Sequence, residues 1–182
     1  MNKFIRMLSL ALCSVLLLSA CGPSDEDKAK AAAAAAEAID NAPVPLPAPG
    51  SDAGAWQKYL VSVVKRNMQG VKTNHPFMYY VPDGDSTDAQ GARQSQLNNV
   101  MDTVARGVLP GNMLAFGGPD SKLTADLIVD AFAGSPDGPT TGANPGSFKD
   151  VVVLFAGASA DEQRVKDALA KSGAELRFVE MK

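Results

Sequence analysis

From residue 55 onward the apolar positions alternate between a helical and a strand-like period. Trp56, Leu60, Val63 and Val64 recur at three- and four-residue spacing after Ser51 and Asp52, which predicts a capped helix running to about Met68. Residues 77–81 are aromatic and β-branched, and predict a strand ended by Pro82. Leu97, Val100, Met101, Val104 and Val108 predict a second helix, stopped around Gly107 and Pro110-Gly111. A short strand follows at 112–116, ended by Gly117-Gly118-Pro119. A third helical stripe, Leu123, Leu127, Ile128 and Ala131, starts near Asp120 or Ser121.

Residues 134–147 hold four glycines and three prolines, a composition that predicts a surface loop. Beyond it, 151–155 is the most apolar stretch after residue 54 and predicts a strand covered on both faces, hence central in its sheet. Ser159 and Glu162 have the spacing of a capping box for a fourth helix carrying Val165, Ala168 and Leu169, with Gly173 as its stop. Residues 176–179 close the chain as an outer strand. Helix, then strand and helix three times, then strand implies an α/β fold: a three-layer αβα sandwich around a mostly parallel four-stranded sheet. Strand order stays open at this level, and so does the direction of the last strand, because the 134–147 loop intervenes.

The first 54 residues have another character. Lys3 and Arg6 give a positive start, residues 7–20 are almost unbroken apolar, and Ser19 and Ala20 are small residues before a cysteine. That is the pattern of a signal peptide, and fourteen residues fall short of the roughly 18–20 a spanning helix needs. Residues 22–54 open with charges, continue with the alanine run at 31–36, and end in Pro43, Pro45, Pro47 and Pro49. Alanine favours helix and alternating proline favours extended polyproline II, so this segment is expected to be a stand-off tether. The predicted organisation is a signal peptide at 1–20, a lipidated N-terminus and tether at 21–54, and one α/β domain at 55–182.

Leu18-Ser19-Ala20-Cys21 resembles the lipobox of bacterial lipoproteins. The resemblance implies cleavage before Cys21, diacylation of its thiol with palmitate-type chains, and a lipid anchor in place of a transmembrane segment. In that family an aspartate directly after the cysteine commonly retains the protein at the inner membrane. Here the position is Gly22, which implies the periplasmic face of the outer membrane. Cys13 leaves with the signal and Cys21 carries lipid, so the mature domain has no thiol for a disulfide, a metal or nucleophilic chemistry.

Loss of Lys3 and Arg6, with all 20 acidic residues kept, takes the formal charge from −3 to −5. With no basic stripe to neutralise phosphates, nucleic acid is not an expected partner.

Three loops should gather at the carboxyl ends of the strands: 82–88, 117–121 and 157–161. Their Gly, Pro, Asp and Ser residues suit strand-to-helix turns and helix caps. Asp83-Gly84-Asp85-Ser86-Thr87 also resembles the nucleophile loop of haloacid-dehalogenase-type phosphatases. That resemblance would make Asp83 the nucleophile, Asp85 the acid/base and Asp161 a Mg²⁺ ligand, although the family's last motif asks for an acidic residue where Ala158 stands. A calcium loop read from Asp83, Asp85 and Asp88 lacks its closing glutamate, since Gln94 occupies that position.

Gly157-Ala158-Ser159-Ala160 lacks the second glycine of a nucleophile elbow. The single histidine, His75, stands at the amino end of its strand, opposite the loops with Ser121 and Ser159. No phosphate-binding glycine fingerprint is complete, and no metal-ligand set is present, so neither cofactor nor metal is expected. The reading that follows is a non-catalytic envelope lipoprotein that binds a protein or cell-wall partner. An Mg²⁺-dependent phosphatase and a toxin-binding immunity lipoprotein are the alternatives.

Overall fold

The computed structural model describes residues 43–134 and 142–182. The predicted signal peptide, Cys21 and most of the predicted tether lie outside the described residues, as does 135–141 of the glycine- and proline-rich loop.

Within the described residues the order is α1 (Ala53–Arg66), β1 (Phe77–Tyr80), α2 (Thr87–Arg106), β2 (Met113–Gly117), α3 (Ser121–Ala133), β3 (Val152–Gly157), α4 (Ser159–Ala170) and β4 (Glu175–Glu180). All four strands are parallel, in the spatial order β1-β2-β3-β4, so the last strand runs with the others. β2 and β3 are buried along their whole length, and β3 takes the interior place its apolar run predicts.

A consecutive strand order has a direct consequence for the layers. Each strand-to-strand crossover is right-handed and each steps the same way across the sheet, so every crossover helix falls on one face. Leu114, Phe116, Val153 and Phe155 accordingly pack with residues of α2, α3 and α4. Their neighbours Met113, Ala115, Val152 and Leu154 point the other way, and there α1 alone supplies Trp56, Tyr59, Leu60, Val63 and Val64. The three layers are therefore three helices, a sheet and one helix.

Local detail departs from the sequence pattern in four places. α2 begins at Thr87, ten residues before Leu97 opens the apolar stripe, because the Ser86 side chain accepts the Ala89 N–H and starts the helix there. α4 has Ala158 as its N-cap with no side-chain cap bond, so Ser159 is already helical and the expected capping box is not formed. The glycine-rich loop turns inward as it ends. Ala143 donates to the Phe132 carbonyl at 2.8 Å, and the buried Phe148 ring meets Phe132 edge-on at 5.1 Å. Finally, the Val44 N–H donates to Ser62 Oγ at 3.0 Å, and its side chain packs beside α1. That contact makes the end of the predicted tether part of the packed domain.

Candidate functional site

The loops after β1, β2 and β3 meet at the carboxyl edge of the sheet. α1 runs against the strands, so its N-terminus arrives at the same edge: Gln57 and Leu60 share a groove with Tyr80 and Pro82, and Leu60 abuts Gly117. Polar residues here first serve the helices. Asp52 Oδ1 accepts from Ala55 N–H at 2.9 Å, Ser86 Oγ from Ala89 N–H at 3.2 Å, and Asp120 Oδ1 from Leu123 N–H at 3.0 Å. Each satisfies a donor that the first helical turn leaves without a partner.

Asp83 and Asp85 are exposed on the first loop. Arg93 Nη1 donates to the Pro82 and Gly84 carbonyls at 3.0 and 2.7 Å, and Gln90 Nε2 to the Asp85 carbonyl at 2.8 Å. The loop is shaped through its backbone, with Gly84 at φ 83°, a conformation that favours glycine.

A denser polar network joins α3 to α4. Ser121 Oγ accepts the Ala158 N–H at 2.7 Å and donates to Asp161 Oδ2 at 2.6 Å. The other Asp161 oxygen takes Arg164 Nε at 3.0 Å. Arg164 extends to Asp126 Oδ1 at 2.6 Å and to the Lys122 carbonyl at 2.8 Å, while Lys122 Nζ reaches Asp126 Oδ2 at 2.7 Å. Partial burial acts to raise the Asp126 carboxyl, but hydrogen bonds and charge from Lys122 and Arg164 outweigh it and hold the group below its ordinary range. Asp130, one turn on, is pushed up by burial and by the Asp126 charge. Arg164 lies three residues from Asp161, a spacing visible in the sequence. Its reach to Asp126 is a tertiary contact that the sequence reading missed.

The residues named for phosphatase chemistry are not gathered. Asp83 and Asp85 follow β1 and Asp161 follows β3, with β2 between them, a lateral step of about 10 Å at ordinary strand spacing. Both Asp161 oxygens are already engaged. His75 is exposed before β1, at the opposite edge from Ser121 and Ser159, and its backbone N–H donates to Thr73 Oγ1 at 3.1 Å. Among the described residues no cluster of three or more His, Cys, Asp or Glu could hold a metal ion.

Open parallel sheets bind ligands where the strand order reverses and neighbouring helices diverge to opposite faces. The order β1-β2-β3-β4 contains no reversal, so this carboxyl edge has no crevice of that origin.

Among the grooves on the described surface, two lie beside it on either side of α2. One, of about 330 Å³, runs between α2 and α3 and is lined by Asp85, Arg93, Leu97, Leu123, Asp126 and Asp130. The other, of about 530 Å³, follows β1 between α1 and α2, where Leu60, Val61, Met78, Tyr80, Ala92 and Gln96 line it. Comparison with models of protein families, with curated proteins and with solved structures gives no match.

Proposed function

We propose that this chain is an exported lipoprotein, held on the periplasmic face of the outer membrane by lipid on Cys21, whose α/β domain binds an envelope protein or cell-wall component without catalysing a reaction. The observation that carries this reading is Leu18-Ser19-Ala20-Cys21 placed directly after a basic start and an apolar run. Two or three acyl chains make such an anchor lasting, since each buried methylene contributes ~0.8 kcal/mol.

The polar edge of the domain supports the non-catalytic part. Asp52 and Asp120 cap helices, and Asp126 and Asp161 are held by Arg164, so these four carboxylates are engaged in structure and not free to move a proton for a substrate. What this edge offers a partner is surface, including the groove between α2 and α3 and the groove along β1.

Metabolic fatty-acid labelling tests the anchor. The unsubstituted chain should take up label and float with outer-membrane vesicles on a density gradient, whereas Cys21→Ser should carry no label and accumulate as precursor. A labelled Cys21→Ser chain would sink the assignment. Cross-linking in intact cells tests the binding role, with reproducible adducts to an envelope component expected from the unsubstituted chain and their absence counting against it.

A further inference from the structure

We infer that two copies of this chain associate through their β1 strands, paired antiparallel about a two-fold axis at Tyr79, so that two four-stranded sheets join into one of eight. The inference stands on the edge strand and does not depend on the anchor.

β1 and β4 are the two sheet edges, and they differ in kind. β4 carries Glu175, Arg177 and Glu180, with Arg177 paired to Glu175 at 2.9 Å and Lys182 to Glu180 at 2.7 Å. Charges of this sort keep an edge from adding strands. β1, Phe-Met-Tyr-Tyr, has none. Phe77 and Met78 are 42% and 45% exposed, two of the few large apolar side chains on the described surface, and they are adjacent on this edge. The groove along the strand is also lined without a charged residue. The strand itself brings no charge to such a contact, and Pro76 and Pro82 stand symmetrically about Tyr79, so the edge is complementary to a second copy of itself.

The backbone determines the register. Val81 N–H donates to the Gly117 carbonyl at 3.0 Å, so odd-numbered residues turn their peptide groups toward β2. In a strand the alternate residues face away, which leaves the N–H and C=O of Met78 and Tyr80 directed outward. Pro76 and Pro82 share that outward phase and have no N–H, and the Pro82 carbonyl is taken by Arg93. The edge therefore offers two donors flanked by prolines.

Antiparallel pairing about Tyr79 sets Met78 opposite Tyr80 of the second copy, and Tyr80 opposite its Met78. Four hydrogen bonds form, both outward donors of each strand are used, and the prolines end the ladder where the donors end. On the α1 face each Met78 then lies against a tyrosine ring, a favourable sulfur–aromatic contact, and cross-strand pairs of this kind stabilise sheets.

Full-length chains bearing Met78→Cys and Tyr80→Cys, distinguished by tags of different size, test this when co-expressed and oxidised. The pairing puts residues 78 and 80 of different copies about 5.5 Å apart at Cα, inside the disulfide range. Like residues lie on the diagonal at about 7–8 Å, too far to bridge. A mixed disulfide dimer is expected from the co-expressed pair, with only the background of the unsubstituted chain when either variant is expressed alone.

Sedimentation velocity in detergent gives a second readout that needs no cysteine. The unsubstituted full chain should contain two copies per particle, and Met78→Lys, a change at an exposed position, should contain one. Single copies in the unsubstituted chain, like-with-like disulfides, or adducts only to other proteins would each overturn the inference.

Discussion

Ser121 and Asp161, forty residues apart, are joined at 2.6 Å by a hydrogen bond in which the serine hydroxyl donates, while the same oxygen receives the Ala158 N–H at 2.7 Å. One side chain thus serves both the start of α4 and its docking on α3. Ser121→Ala should leave a partly buried N–H and one carboxylate oxygen without a partner, at a cost of about 1–3 kcal/mol. Thermal melting should show a drop of several degrees. A variant melting with the unsubstituted chain would mean that water replaces the hydroxyl without loss.

Val153 lies in the middle of β3 and is fully buried. Val153→Asp places an unpaired charge in the core under the three helices that cover this face of the sheet, and the several kcal/mol involved should exhaust a domain stability of roughly 5–15 kcal/mol. Circular dichroism and gel filtration should find an unfolded or aggregated chain. A soluble variant with a cooperative melt would contradict the packing of this strand.

The Arg164–Asp126 contact should show itself in acid. The Asp126 carboxyl is held below its ordinary range in the fold, so its contribution is present above the unfolded value of about 3.9 and is lost as pH falls through the folded value. Arg164→Gln should lower the melting temperature near neutrality by the equivalent of about 1 kcal/mol, the scale of a partly exposed ion pair. The gap between the two proteins should narrow below pH of about 4. A gap that widens in acid would refute the sign of the shift.

Magnesium distinguishes a turn from a site at Asp83 and Asp85. Two carboxylates held as a metal site would repel, and Mg²⁺ binding there would stabilise the fold by RT ln(1 + [Mg²⁺]/Kd). With Asp161 beyond β2 and occupied by Ser121 and Arg164, we expect millimolar Mg²⁺ to leave the melting temperature unchanged and no release of phosphate from a simple phosphate ester. A Mg²⁺-induced rise that disappears in Asp83→Asn, with hydrolysis disappearing alongside it, would replace the binding reading with the phosphatase one.

Much of the architecture was legible in the chain because it rests on local periodicity. Five unbroken apolar residues before Ala156 announce a strand with no solvent face, and Asp52 and Asp120 announce helix starts because their side chains reach only their own first turn. The α4 cap was misread for a related reason: Ser159 and Glu162 have the right spacing, but the loop from β3 ends one residue earlier, and the donor beyond it is met by Ser121 from another segment. The first ten residues of α2 are largely polar, so its apolar stripe marks only the second half, while its start is marked by the cap in the 82–88 loop, Ser86.

What only the folded chain decided was adjacency. Each apolar strand could pair with any other of similar length, since backbone ladders are nearly blind to side-chain identity, and the order β1-β2-β3-β4 emerges from how all the faces are covered together. That order put three helices on one face, separated Asp83 from Asp161, and left Phe77-Met78-Tyr79-Tyr80 along an open edge. No local pattern contains this information, because it depends on which segments, distant along the chain, come to lie side by side.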